Sequence, residues 1–253
     1  MPIRYLSRLS AEKRDARSDL HLGCVLAFVA GAVNAGGFLA IGRYTSHMTG
    51  IVSNMADDLA LGNARVALAA LAAWLAFIAG AATTAVLINW TRRRKLRSQY
   101  ALSLLLEAAL LLLFGLAGNN LAAMHDMLAP VTVLLLCFIM GLQNAIITKI
   151  SGASIRTTHV TGLSTDIGIE LGKLFYYNRH ARPELLVRAN RQKLKLHSLL
   201  VLFFFVGGIS GALGFKHIGF SATIVLAAVL ATLAIGPIVH DAHLLWRYYR
   251  RKA

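Results

Sequence analysis

Two histidines, His47 and His159, occupy the same place in two copies of one short pattern, Thr45-Ser46-His47-Met48-Thr49-Gly50 and Thr157-Thr158-His159-Val160-Thr161-Gly162. Imidazole titrates near neutral pH, so a matched pair suits proton carriage or hydrogen bonding to a bound solute. The plainer role for each is a capping or interhelical bond at a helix break. Continuing without a gap, Ser53-Asn54 matches Thr165-Asp166 and Asp58-Leu59 matches Glu170-Leu171. If each segment is helical, His47, Gly50, Asn54 and Asp58 share one face, and His159, Gly162, Asp166 and Glu170 share another. Carboxylates at membrane depth are costly and are paired or functional, which makes Asp58, Asp166 and Glu170 candidates for handling ions or protons. Their alternative is a place in interfacial water, with Glu170 beside Lys173. Thr45, Thr49, Thr157 and Thr161 offer hydroxyls either to a solute or to backbone groups freed by a break. Gly50 and Gly162 permit such a break or a close helix approach. A half-helix starting there would favour an anionic group at its N-terminus, and Arg43 and Arg156 just upstream would reinforce the preference.

Outside the doubled pattern, Glu107 stands alone among leucines, a proton-relay candidate whose competing role is snorkelling toward a nearby basic link. His240-Asp241-Ala242-His243 has the look of a metal cluster but no further ligands, and it reads better as an interfacial cap. Cys24 and Cys137 lie in apolar surroundings without a CxxC partner and read as packing residues. No HExxH, GxSxG or Walker loop is present, so the sequence implies no cofactor, no metal and no catalytic residue.

The elements that position these residues follow from composition. Of 253 residues 57% are hydrophobic and 15% charged, with a mean hydropathy of +0.62, outside the range of a soluble domain. Candidate spans of the length a bilayer demands fall at 22–42, 65–90, 101–118, 131–149, 197–215 and 219–240. Lys and Arg concentrate in 1–20, in 92–97, in 173–196 and in the tail, while the other links are nearly free of them. Because short positive segments stay in the cytoplasm, this predicts six crossings with both termini cytoplasmic. The same distribution accounts for the formal charge of +15 without nucleic-acid binding. The first span resembles a signal peptide, yet its Gly31–Ala35 segment recurs as Gly141–Ala145, so it reads as retained.

Three spans per copy is an odd number, so the second copy must cross in the opposite sense. The expected fold is an all-α, polytopic, 3+3 inverted repeat with interrupted or re-entrant segments after spans one and four, the plan of many secondary transporters. It forms one membrane domain: a basic segment 1–20, a first repeat 21–118, a second repeat 130–243 that includes the basic link 173–196, and a tail 244–253. Phe77-Ile78-Ala79-Gly80 matches Phe205-Val206-Gly207-Gly208 as a weaker internal pairing. Phe175, Tyr176 and Tyr177 at the start of the basic link suit the headgroup layer.

The six-span layout, with Gly31–Ala35 and His47-Met48-Thr49-Gly50 in one half and Gly141–Ala145 and Thr157–Gly162 in the other, resembles the YoaK-like family of bacterial inner-membrane proteins. That resemblance covers about residues 20 to 245 and implies a multi-pass protein of the bacterial inner membrane, without a substrate or established site. Many relatives carry Asn directly after the first Thr-Gly, where this chain has Ile51.

The expected function is a small secondary transporter or channel-like permease for a small polar solute, with a lean toward an anionic one and toward proton coupling. Its partners would be the lipid bilayer, the solute and protons, with a homodimer an option for a chain of this size. Two other classes stay open: an intramembrane enzyme acting on lipid or quinone, and a non-catalytic scaffold or sensor. A cavity lined alike by both motifs would favour transport, whereas Glu107 meeting a single histidine would favour the enzyme.

Overall fold

The computed structural model describes residues 16–42, 44–94, 96, 98–121, 125–150, 158–178 and 186–250. The regular structure among them is helical: α1 Ala16–Ile41, α2 Met48–Ala60, α3 Ala64–Arg93, α4 Ala101–Leu121, α5 His125–Ile150, α6 Val160–Phe175, α7 Arg191–Ile218 and α8 Ala222–Arg250, with a 3-10 turn at Gly219–Ser221.

Five stretches are long and apolar enough to cross a membrane: Leu20–Ile41, Ala64–Arg93, Ala101–Gly118, Ala129–Ile150 and Arg191–Val239. The last holds 49 residues, about twice what a bilayer takes, and it is divided by the turn at Gly219, whose φ of 60° suits a residue without a Cβ. The helices α1, α3, α4, α5, α7 and α8 each overlap an expected span and run beyond it at one end or both. In α4 the buried residues Ala101, Leu104, Ala108, Leu111 and Phe114 recur at helical spacing, while Leu112, Leu113 and Leu116 face outward and exposed. A helix apolar on both its inner and its outer face belongs in lipid. Leu68, Val86, Phe205 and Ile224 on the other long helices are exposed in the same way. This is the build of a multi-pass membrane protein.

Packing is pairwise. Helix α1 lies on α7, α3 on α5, and α4 on α8, while the short α2 and α6 lie against α3 and α7. Glycines bring the first two pairs together, as expected where lipid removes most of the hydrophobic drive and close van der Waals contact must replace it. A Cβ on Gly31 would run into the Phe204 carbonyl oxygen and one on Gly207 into that of Phe28; likewise one on Gly141 would meet Phe77 and one on Gly80 would meet Phe138. These contacts equate Phe77 with Phe204 and Gly80 with Gly207, one residue away from the pairing read in sequence. A helical register is fixed by which backbone a glycine can touch, and the run of phenylalanines at 203–205 let the sequence match slip.

Buried polar bonds join helices both within and between these pairs. The Thr84 hydroxyl donates to the Leu142 carbonyl at 3.0 Å, and Gln143 Nε2 donates to the Leu26 carbonyl at 3.0 Å. Asp241 accepts the Ser98 backbone N–H at 2.8 Å, ahead of the first turn of α4. The His240–His243 cluster thus contributes a cap through its aspartate, and no group of three metal ligands occurs among the described residues. Cys24 and Cys137 are free and buried.

Candidate functional site

After α1 the chain doubles back. Ser46 donates its hydroxyl to Asn34 Oδ1 at 2.8 Å and its backbone N–H to the same oxygen at 3.3 Å, although Asn34 lies two turns before the end of α1. After α5 the Thr158 hydroxyl donates to Asn144 Oδ1 at 2.8 Å. Each bond draws the doubled pattern back along the helix that precedes it, so that α2 and α6 begin beside the interiors of α1 and α5.

His47 and His159 are the residues immediately before α2 and α6, and neither caps its helix with a side-chain bond. The His47 carbonyl accepts the Ile51 N–H at 3.1 Å and the His159 carbonyl accepts the Leu163 N–H at 2.9 Å. The imidazoles instead fold over the first turn. A Cβ on Gly50 would collide with the His47 ring, and one on Gly162 would lie 3.3 Å from His159 Nδ1. The spacing of His and Gly in the pattern is therefore steric: glycine at the third helical position makes room for the ring. At such a helix start the first N–H groups have no intrahelical acceptor and carry the positive end of the helix dipole.

Both starts open on one cavity of about 730 Å³. Its walls match between copies: Asn34, Ser46, His47 and Thr49 on one side, Asn144, Thr158, His159 and Thr161 on the other, with Phe77 and Phe204 as a further matched pair. Tyr44, Met48, Thr148 and Val160 complete the lining. Among the described residues no carboxylate contributes to it.

Of the residues singled out in sequence, His47, Thr49, His159 and Thr161 line the cavity, and Gly50 and Gly162 lie under the imidazoles. Thr45 is buried behind the wall, 1% exposed, with its hydroxyl unpaired. Thr157, with Arg43 and Arg156, lies outside the described residues. Of the two stripes expected in sequence only the leading residues, His47 and His159, reach the cavity, because α2 and α6 present their first turns to it. Asn54 and Asp58 lie further along α2, where Asn63 Nδ2 donates weakly to Asp58 Oδ1 at 3.4 Å. Asp166 turns to α7, where Lys193 Nζ lies 3.0 Å from its Oδ1, and Glu170 pairs within α6, where Lys173 Nζ lies 2.9 Å from its Oε1. Glu170 Oε2 also accepts the Asn190 backbone N–H at 2.6 Å. The bonded Lys193 ammonium holds the Asp166 carboxyl below the usual carboxylate range, and the Lys173 ammonium, followed by the Asn190 N–H, does the same for Glu170.

Glu107 is fully buried in α4, with both oxygens unpaired, and the Ser103 hydroxyl one turn earlier is buried and unpaired as well. It neither snorkels to the basic link nor lines the cavity. The residues that sequence reading passed over as site members are Asn34 and Asn144. Their signal was present, since each is the fourth residue of a recurring segment, Gly31–Ala35 or Gly141–Ala145, but nothing local said that their amides would take up the motif hydroxyls.

Comparison with curated proteins and with solved structures gives no match. The family profile described as "Protein of unknown function (DUF1275)" matches residues 22–236. The chain therefore belongs to the DUF1275 family.

Proposed function

We propose that the protein is a small secondary transporter or channel-like permease, built as a 3+3 inverted repeat, whose solute sits between the two Thr-x-His-x-Thr-Gly motifs. The observation that carries the reading is the matched lining of one cavity by Asn34, Ser46, His47 and Thr49 and by Asn144, Thr158, His159 and Thr161. Reciprocal glycine contacts support the repeat: exchanging the copies turns the α1–α7 contact at Gly31 and Phe204 into the α5–α3 contact at Gly141 and Phe77. Transporter sites formed at a repeat interface by half-helix N-termini are a recurrent arrangement.

The solute is small and polar, and the lining favours an anionic group. Two helix starts supply donors and positive dipole ends, while the carboxylates that would repel an anion are bonded to α7. The histidines are the titratable groups in position to couple solute to protons. The basic segments support six crossings with both termini in the cytoplasm of a bacterial inner membrane, in keeping with the YoaK-like resemblance.

Flux into proteoliposomes, screened over small organic and inorganic anions and neutral polar solutes with a pH probe inside, tests this reading. One solute class is expected to enter, and His47→Ala and His159→Ala each to slow it about tenfold, the effect of losing one good polar contact. Folded variants that move every transported solute as fast as the parent would remove the site from between the motifs. Cysteines at Asn119 and Asn178 test the orientation: the first is expected to react with an impermeant maleimide from outside and the second from inside.

A further inference from the structure

We propose that the Asp166–Lys193 ion pair, with the Glu170 carboxylate on the Asn190 N–H beside it, forms an ionic latch that fastens α6 to α7, and that release of the latch lets α6 lift from its seat and reshape its side of the cavity. The consequence for the cavity rests on the transport reading above; the fastening itself does not.

The two half-helices occupy matching places but are held in different ways. Helix α2 is fastened through backbone: its last turn runs into α3 through residues 61–63, where the Leu61 N–H reaches the Asp57 carbonyl at 2.9 Å and the Asn63 N–H reaches the Asp58 carbonyl at 2.8 Å. Helix α6 has no such turn. Its C-cap residue Tyr176 is extended, with ψ of 125°, and the chain leaves α6 for residues 176–190 before α7 begins. Side-chain bonds take the place of the turn. Asn178, just past α6, exchanges two bonds with the Val187 backbone at 3.0 and 3.1 Å. Lys193 bonds Asp166 across the two helices, and Glu170, paired within α6 to Lys173, takes the N–H of Asn190 on its second oxygen. Asn190 in turn caps α7, accepting the Lys193 N–H at 3.0 Å. His197 Nδ1, on the next turn of α7, stands 3.6 Å from the other Asp166 oxygen.

The register of the glycine contacts identifies the first-copy counterparts. Asn190 corresponds to Asn63, Lys193 to Val66 and His197 to Ala70, while Asp166 and Glu170 correspond to Asn54 and Asp58. The Asp166–Lys193 pair is thus particular to the second copy, where the first has Asn54 and Val66. The acidic residue at Asp58 and Glu170 and the asparagine just before α3 and α7 are common to both copies.

An ionic fastening differs from a backbone turn in being breakable without unfolding. The Lys193, Asp166 and Lys173 side chains are each roughly two-fifths exposed, so solvent and salt reach them and screen the pairing. The helix they hold is 16 residues long and carries His159 and Thr161 at its far end. Because a helix moves as a rigid rod, lifting its latched end must tilt the end that forms the cavity wall. Leu163, 4% exposed, is a core residue of α6 that such a movement would uncover.

Cysteine accessibility tests the latch in the full chain, with Cys24 and Cys137 replaced by alanine and the protein reconstituted in liposomes. Leu163→Cys reports on α6, and Leu111→Cys, in the fully buried face of α4, reports on general unfolding. Lys193→Asp is expected to raise maleimide labelling at position 163 several-fold while position 111 stays protected, and the charge-swapped pair Asp166→Lys with Lys193→Asp is expected to return labelling toward the parent rate. Unchanged labelling at 163, equal rises at 163 and 111, or failure of the swap to restore protection would each overturn the latch. Should Lys193→Asp not fold, the parent is titrated with salt instead; labelling at 163 that does not rise with ionic strength overturns the proposal. A chain that shows the latch but moves no solute would lose the transport reading alone. One that moves solute with indifferent labelling would lose the latch alone.

Discussion

The Ser46 hydroxyl bonds Asn34 Oδ1 at 2.8 Å, and this one contact sets the course of the chain between α1 and α2. Thr158 and Asn144 repeat it at the same distance in the second half. In each case a side chain of the preceding helix supplies the acceptor for a motif hydroxyl. We expect Asn34→Ala and Asn144→Ala each to cost roughly 0.5–2 kcal/mol, read as a lower unfolding midpoint in detergent. The corresponding Ser46→Ala and Thr158→Val variants should cost less than additively when combined with the loss of their own asparagine, because each pair shares one bond.

Gly31 and Gly141 carry the contacts that seat α1 on α7 and α5 on α3. Adding a methyl to either would drive it into a backbone carbonyl, and backbone cannot swing aside as a side chain can. Gly31→Ala and Gly141→Ala are therefore expected to destabilise by about 1–3 kcal/mol, the usual cost of overpacking. Gly168→Ala is the control, since nothing lies within 4 Å of a Cβ there. It is expected to be neutral or to gain up to roughly 1 kcal/mol from helix propensity. A thermal-shift comparison of the three decides the matter, and equal effects would remove the close-contact account.

Glu107 is a carboxyl buried with neither oxygen bonded. Replacing it with leucine, of similar volume, removes a polar group that has lost water without gaining a partner, and should stabilise the protein by about 1–3 kcal/mol. Glu107→Gln keeps the unpaired polar group and should change stability little. A loss of stability in Glu107→Leu, measured by thermal unfolding, would mean that the carboxyl is engaged in a bond that holds α4 in place.

Asp166 and Glu170 tie the α6–α7 contact to pH. Both carboxyls are held below their ordinary range by bonded lysines, so the stabilisation they give is fully present above the ordinary carboxylate pKa of about 4. It is lost as pH falls through the lower, folded-state value. Protection of the α6 amides, taken relative to the intrinsic exchange rate at each pH, is expected to be high at neutral pH and to fall on acidification below that range, with α2 showing no matching step. Asp166→Asn should remove much of the pH response; an unaltered response would assign it to other groups.

Much of this organisation is written locally and was legible without coordinates. A bilayer forces apolarity on every crossing, so the spans stand out as runs of residues, and the Gly219 break shows where one long run must be two helices. The doubled Thr-x-His-x-Thr-Gly pattern likewise marks helix starts, because a histidine three residues before a glycine is a local steric arrangement. The side chains at the ends of that pattern were harder to place. Asp166 and Glu170 have the spacing to continue the histidine stripe, and only the position of Lys193 and Asn190 on α7 shows that they bond sideways.

What the sequence by itself determined is the set of helices, their breaks and the residues that had to come in pairs, since hydropathy, capping and glycine placement act over a few residues. The tertiary structure decided which members of each pair meet. It put His47, Thr49, His159 and Thr161 on one cavity, took the carboxylates out of it, buried Glu107 away from both and moved the Phe77 equivalence from Phe205 to Phe204. Those outcomes depend on how distant helices cross and on which carbonyl a glycine can touch, and neither is fixed until the whole bundle has packed.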